Sequence, residues 1–187
     1  MVIPLCNAVA VLFFSHMVEK NIAFSMEMVL LFPTFARYNA HILTFKNIFD
    51  MELTHIEHIG IAVKSLETAI PYYEEKLGLK CYAIEEVADQ KVKTAFFKVG
   101  QTKIELLEST SPEGTIAKFI EKKGEGVHHI AFATNGVQAS LDELAAKDVQ
   151  LIDKAPRKGA EGLNIAFLHP KSTCGVLTEL CEDPSKM

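Results

Sequence analysis

A short phrase occurs twice in this chain of 187 residues, 71 positions apart: His58-Ile-Gly-Ile-Ala-Val and His129-Ile-Ala-Phe-Ala-Thr. Each copy is followed by a second matching phrase that carries a carboxylate. These are Ile104-Glu105-Leu106-Leu107-Glu108 and Thr178-Glu179-Leu180-Cys181-Glu182. The separation is 47 residues from His58 to Glu105 and 50 from His129 to Glu179. A duplicated unit that keeps its polar residue at the same place in each copy points to two similar modules. Each would supply one imidazole and one carboxylate to a shared site.

Periodicity around the phrases supports that reading. Over 56–63 the chain alternates, with Ile59, Ile61 and Val63 on one side and His58, Gly60 and Ala62 on the other. Ser65 reads as a helix N-cap, followed at helical spacing by Leu66, Ala69, Ile70, Tyr73 and Leu77, with Gly78 as the stop and Pro71 as a kink. Strand-like runs follow near 79–87, 92–99 and 103–108. The second copy repeats the plan: a strand over 127–134, a helix capped by Asn135, and runs near 149–153, 163–168 and 175–182. Modules of about 54–110 and 125–183 are joined by a short helix at about 114–123, after the break at Ser111-Pro112-Glu113-Gly114.

Residues 1–50 lack the repeat. Their apolar run Val9-Ala-Val-Leu-Phe-Phe14 is too short to span a bilayer, and they carry no convincing secretory or mitochondrial signature. Met51-Glu-Leu-Thr-His-Ile-Glu-His reads as a natural start. We expect 1–50 to be an upstream extension that the native protein lacks, an expectation that an intact mass matching the full chain would refute. A net charge of −5 without a basic cluster argues against nucleic acid as the partner. Cys6, Cys81, Cys174 and Cys181 have no close paired spacing and read as reduced thiols of a cytoplasmic protein.

One strand histidine alone is usually structural. Four polar positions equivalent in two copies are different, and we read His58, Glu105, His129 and Glu179 as ligands of one divalent ion per chain. On the partner strands Glu105 shares a face with Leu107, and Glu179 with Leu177 and Cys181. Carboxylates there are costly to bury unless paired or metal-bound. Two imidazoles and two carboxylates suit cobalt, manganese, nickel or zinc and do not choose among them. Four ligands on an octahedral ion leave two adjacent positions for a chelating substrate. The fourth ligand argues against the three-ligand iron site of oxygenases. His128 faces away from His129 and reads as packing or as an outer support of the site, His55 as solvated before the strand, and Lys118, Lys122 and Lys123 as a solvated helix face. His169 and Lys171 lie in a turn that could reach an anionic ligand.

From about 53 to 183 the chain resembles the methylmalonyl-CoA epimerases of the vicinal oxygen chelate superfamily. The matching stretches are HIEHIGIAV, YYEEKLGLK, KIELLE, TIAKFIEKKGEGVHHIAFAT and FLHPKSTCGVLTELCE. The resemblance implies an α+β fold of two paired βαβββ modules, their eight-stranded mixed sheet curled around a metal held by the same four residues. It also implies an acyl-CoA substrate and a homodimer. The implied reaction exchanges (R)- and (S)-methylmalonyl-CoA by proton transfer at C2 through a metal-stabilised enolate. Glu179 matches a proposed base. A second base, Glu on the third strand of some members, aligns near Thr94, which cannot serve, leaving Glu85, Glu86 or a water as substitutes. Some members carry Gln at Glu105. Lys171 is the candidate contact for the CoA end. The alternatives are a glyoxalase I-type lactoylglutathione lyase and a non-catalytic binding protein of the same fold.

Overall fold

The alternation around His58 becomes β1 (Leu53–Ala62), in which His58, Gly60 and Ala62 are buried. The structure is a computed structural model that describes residues 51–186, so the extension expected over 1–50 lies outside the described residues. After β1 come α1 (Leu66–Pro71), β2 (Cys81–Val87), β3 (Val92–Val99) and β4 (Thr102–Ser109). A connecting helix, α2 (Thr115–Lys123), leads to β5 (Gly126–Thr134) and α3 (Val137–Ala146). The chain then forms β6 (Arg157–Lys158), β7 (Asn164–Leu168) and β8 (Leu177–Glu182).

The strands make one mixed, curled eight-stranded sheet in the order β2-β3-β4-β1-β5-β8-β7-β6. β1 pairs parallel with β4, and β5 parallel with β8; the two halves meet where β1 pairs antiparallel with β5. This is the α+β architecture of two βαβββ modules that the family resemblance implied. Among the described residues no helix is long and apolar enough to cross a membrane.

Each half is covered on one face by a helix. Leu66 of α1 packs with Ala95, Phe97 and Leu106. Val137 and Leu141 of α3 pack with Ala166, Leu168 and Leu180. Burying side chains of this size contributes about 1.5–3 kcal/mol each. The strand alternation leaves the opposite face, with both histidines, free for the site.

The helix starts differ from the expected capping. Ser65 makes no side-chain cap bond, and α3 starts after Gly136 rather than Asn135, whose Oδ1 accepts the Glu52 N–H at 3.3 Å. In each module the cap comes from β4 or β8. The Leu66 N–H donates to Glu108 Oε2 and the Val137 N–H to Glu182 Oε2, both at 2.6 Å. Residues three apart on a strand point to opposite faces, so Glu105 and Glu108 serve opposite sides of the sheet, as do Glu179 and Glu182. A carboxylate at a helix N-terminus is favoured by the peptide dipoles.

Pro71 does not end its helix. The segment continues as a π-helical turn over Tyr72–Lys76. Gly78, at φ +67°, makes the stop. The expected strand over 149–153 is reduced to a single bridge, Leu151 with Leu168. There the N–H groups of Ile152 and Asp153 both donate to the Phe167 carbonyl, and Asp153 Oδ2 takes the Phe167 N–H, which spoils the ladder. Arg157–Lys158 provides the edge strand instead, paired with Ile165 and Asn164.

Candidate metal centre

Register places the four residues. Gly60 on β1 pairs with Glu105 on one side and His129 on the other. Ala131 on β5 pairs in the same way with Glu179 and His58. The two rows are related about the Ile59–Ile130 pair, so the duplication in sequence becomes a local two-fold in space. The small residues in the middle are required: a Cβ at Gly60 would stand 2.2 Å from His129 Cε1.

All four side chains are buried, with residue exposures of 5% for His58, 6% for Glu105 and 3% each for His129 and Glu179. The two Nε2 atoms are 2.9 Å apart. His58 Nε2 lies 3.3 Å from Glu105 Oε2 and 3.8 Å from Glu179 Oε2. His129 Nε2 lies 3.3 Å from Glu179 Oε2 and 3.6 Å from Glu105 Oε2. Donors each ~2.1 Å from one ion stand about 3.0 to 3.4 Å apart at its coordination edges, so His58, Glu105 and His129 can hold a divalent cation, with Glu179 Oε2 beside both imidazoles.

The outer imidazole nitrogens are also engaged. His58 Nδ1 is 2.6 Å from Glu57 Oε2, and His129 Nδ1 is 3.0 Å from His128 Nδ1. A histidine whose Nδ1–H is held outward presents the Nε2 lone pair inward, the usual second support of a metal-binding imidazole.

Charge balance agrees. Burial alone would lower the His58 pKa, but Glu179, Glu57 and Glu105 raise it to about 10. Burial raises Glu105 to about 7, partly offset by His58 and reinforced by Glu179. His129 is pushed well below the ordinary histidine value by burial, then by His58 and His128. His128, half-buried, is lowered to about 4 by desolvation and then by Lys123, and stays neutral at physiological pH. Two buried carboxylates facing two imidazoles thus retain a proton that a divalent cation would replace.

The site opens into a cup whose walls include Thr94, Phe96, Lys103, Glu161 and Phe167. Lys103 bridges the carboxylates of Glu57 and Glu161, and Tyr82 donates its hydroxyl to Glu161 Oε1 at 3.0 Å. Burial would lower the Lys103 pKa, but those two carboxylates raise it well above the usual lysine value. Sequence reading missed Glu57, Lys103 and Glu161. Lys103 had a detectable signal, because it lies two residues before Glu105 and so on the same strand face.

His128 packs edge-on against Phe119, with centroids 4.9 Å apart, in addition to contacting His129. His55 is not solvated ahead of the strand but half-buried within β1, which begins two residues earlier. Glu86 is exposed, and Glu85 Oε2 is occupied by the Glu161 N–H at 3.0 Å; neither lines the cup. Lys171 is exposed in the turn between β7 and β8, where its N–H donates to His169 Nδ1 at 3.1 Å, and it does not line the cup either.

Residues 57–167 match the family model of the Glyoxalase/Bleomycin resistance protein/Dioxygenase superfamily. The Bacillus subtilis protein YqjC is 48% identical over 130 residues, covering 70% of this chain and 93% of YqjC. The ethylmalonyl-CoA/methylmalonyl-CoA epimerase of Cereibacter sphaeroides is 35% identical over 127 residues, covering 67% of this chain and 95% of that protein. This chain belongs to the methylmalonyl-CoA epimerase family of that superfamily. As a member of the epimerase family it is an enzyme of the isomerase class. A variant of the Streptomyces coelicolor methylmalonyl-CoA epimerase, solved with 2-nitronate-propionyl-CoA, superposes with a TM-score of 0.69 at 38% identity, covering 72% of this chain and 97% of that one.

Proposed function

We propose that this protein interconverts (R)- and (S)-methylmalonyl-CoA by proton transfer at C2, using one divalent ion held by His58, Glu105, His129 and Glu179. The observation that carries the reading is the convergence of those four buried side chains from equivalent positions of the two halves. Cobalt, manganese, nickel or zinc matches the donor set. A bound divalent cation supplies positive charge against the negative charge that builds on the thioester oxygen as the C2 proton leaves.

The chain's own groups do the rest. Glu57 and His128 hold the imidazoles in place from behind. Glu179 takes the C2 proton: a carboxylate has two oxygens, so Oε2 held toward the imidazoles leaves the other for the substrate. A water in the cup returns a proton to the opposite face of C2, since Glu85 and Glu86 do not line the cup. Phe96 and Phe167 on the cup wall restrict water around the reacting carbon. Lys171, outside the cup, meets the anionic end of CoA.

The relatives' ligands support an acyl-CoA substrate, since the Streptomyces coelicolor enzyme was solved with a CoA ester. We assign the activity to residues 53–183, working as a cytoplasmic homodimer. The three described cysteines, Cys81, Cys174 and Cys181, are free thiols, which is consistent with a reducing compartment. The test is circular dichroism of stereochemically pure (S)-methylmalonyl-CoA mixed with metal-loaded protein. Decay of the signal to that of the equilibrium mixture of epimers is expected, and a signal that holds rejects the reading.

A further inference from the structure

Among the described residues one buried side-chain polar atom has no hydrogen-bond partner, Thr94 Oγ1. Thr94 is 1% exposed, so its hydroxyl has lost bulk water without gaining a protein partner. Native proteins rarely leave a buried hydroxyl in that state, and the exceptions call for a functional account.

Its position supplies one. Thr94 on β3 pairs with Leu107 on β4, next along the same face to the Phe96–Glu105 pair. That diagonal puts Thr94 about 7–8 Å from Glu105, with the Cβ atoms somewhat closer. The side chain lines the same cup as His58, Glu105, His129 and Glu179. Packing gives no reason for a hydroxyl there, since valine has nearly the same shape and would leave nothing unpaired. A threonine hydroxyl does not ionise near neutral pH, so it cannot take the C2 proton. It can donate a hydrogen bond, and a donor is strongest against an oxygen that is charged or becoming charged.

Taking the proposed function as the premise, a CoA ester of a 2-carboxy acid brings both a carboxylate and a thioester oxygen into this cup. We propose that Thr94 Oγ1–H donates a hydrogen bond to an oxygen of the bound acyl group, which makes Thr94 a specificity-determining contact of the acyl-binding cup. The hydroxyl left unpaired in the free enzyme is then satisfied by the substrate. Acyl groups that present no oxygen at that point leave it unpaired and bind less well.

The test uses Thr94→Val, which removes only the hydroxyl, and Thr94→Ser, which keeps it, each metal-loaded and assayed beside the wild type. Thr94→Val is expected to raise KM for methylmalonyl-CoA about tenfold with kcat changed by less than about threefold, the pattern of a lost ground-state contact. Its Tm should equal or exceed that of the wild type, because an unpaired buried group has been removed. Thr94→Ser should return KM to within about threefold of the wild type. Should Thr94→Val be insoluble, Thr94→Ala gives the same KM reading. An active wild type whose KM is unmoved by Thr94→Val, or a KM that Thr94→Ser fails to restore, overturns this contact alone. A wild type that does not racemise the substrate overturns the contact together with the proposed function.

Discussion

A side-chain carbon at Gly60 would lie 2.2 Å from Cε1 of His129, across the central β1–β5 pair. Glycine at that position is therefore part of the site, because the strand that delivers His58 also makes room for the second imidazole. Gly60→Ala is expected to turn the His129 ring away from His58 and Glu179. Metal affinity should fall on the order of 10–100-fold, comparable to losing an outer support of a ligand, while far-ultraviolet circular dichroism stays unchanged. Isothermal titration of metal into the chelated variant checks this, and wild-type affinity would show that the ring has other space.

Glu57 is a support of that kind. Its carboxylate holds His58 Nδ1 at 2.6 Å and also engages Lys103. Glu57→Gln should weaken metal binding by about 10-fold or more. The same titration reads it, and kcat at saturating metal should recover most of the loss.

Glu108 and Glu182 cap α1 and α3 from the far end of each module. Replacing either by Ala should cost about 1 kcal/mol of stability, whereas Gln, which keeps an acceptor oxygen, should cost less. Because the two caps are on different helices, their effects should add. Urea unfolding with an unchanged slope measures this, and activity at 25 °C should be unaffected.

The titrating groups give a pH dependence with a definite sign. In metal-free protein His58 titrates near 10, above its ordinary 6.5, so the stability it contributes is complete below about pH 6.5 and is lost as pH rises toward 10. Glu105, raised to about 7, adds a loss of the same sign from its ordinary range up to that value. Metal-free protein should thus lose stability from pH 7 to 10. Metal binding must displace the His58 proton, so about one proton per ion should be released near pH 8 and affinity should rise with pH. Calorimetry in buffers of different ionisation enthalpy counts that proton; no release would contradict the assignment of His58.

The duplicated phrases and strand parity were enough to find most strands and helices of the two modules and the four equivalent polar positions, because each rests on a local period or on repetition. The curled eight-stranded sheet was implied by the family resemblance. What escaped involved partners distant in sequence. Glu108 caps a helix that begins 42 residues earlier, and Glu182 one that begins 45 earlier, so local capping rules chose Ser65 and Asn135 instead. Glu161 reaches the cup only because its loop crosses to Lys103 and Tyr82. The lost strand near 151 turned on one side chain, Asp153, taking a ladder N–H. Apolar alternation does not reveal that competition.

The ion proposed to sit on His58, Glu105, His129 and Glu179 would make C2 of the substrate exchangeable. Deuterium wash-in at C2 of methylmalonyl-CoA in heavy water tests it most directly, run on metal-loaded protein, on chelated protein, and on chelated protein with cobalt restored. Rapid exchange that disappears with the chelator and returns with the ion is expected. Exchange equal in all three samples, or absent from all three, would contradict the account.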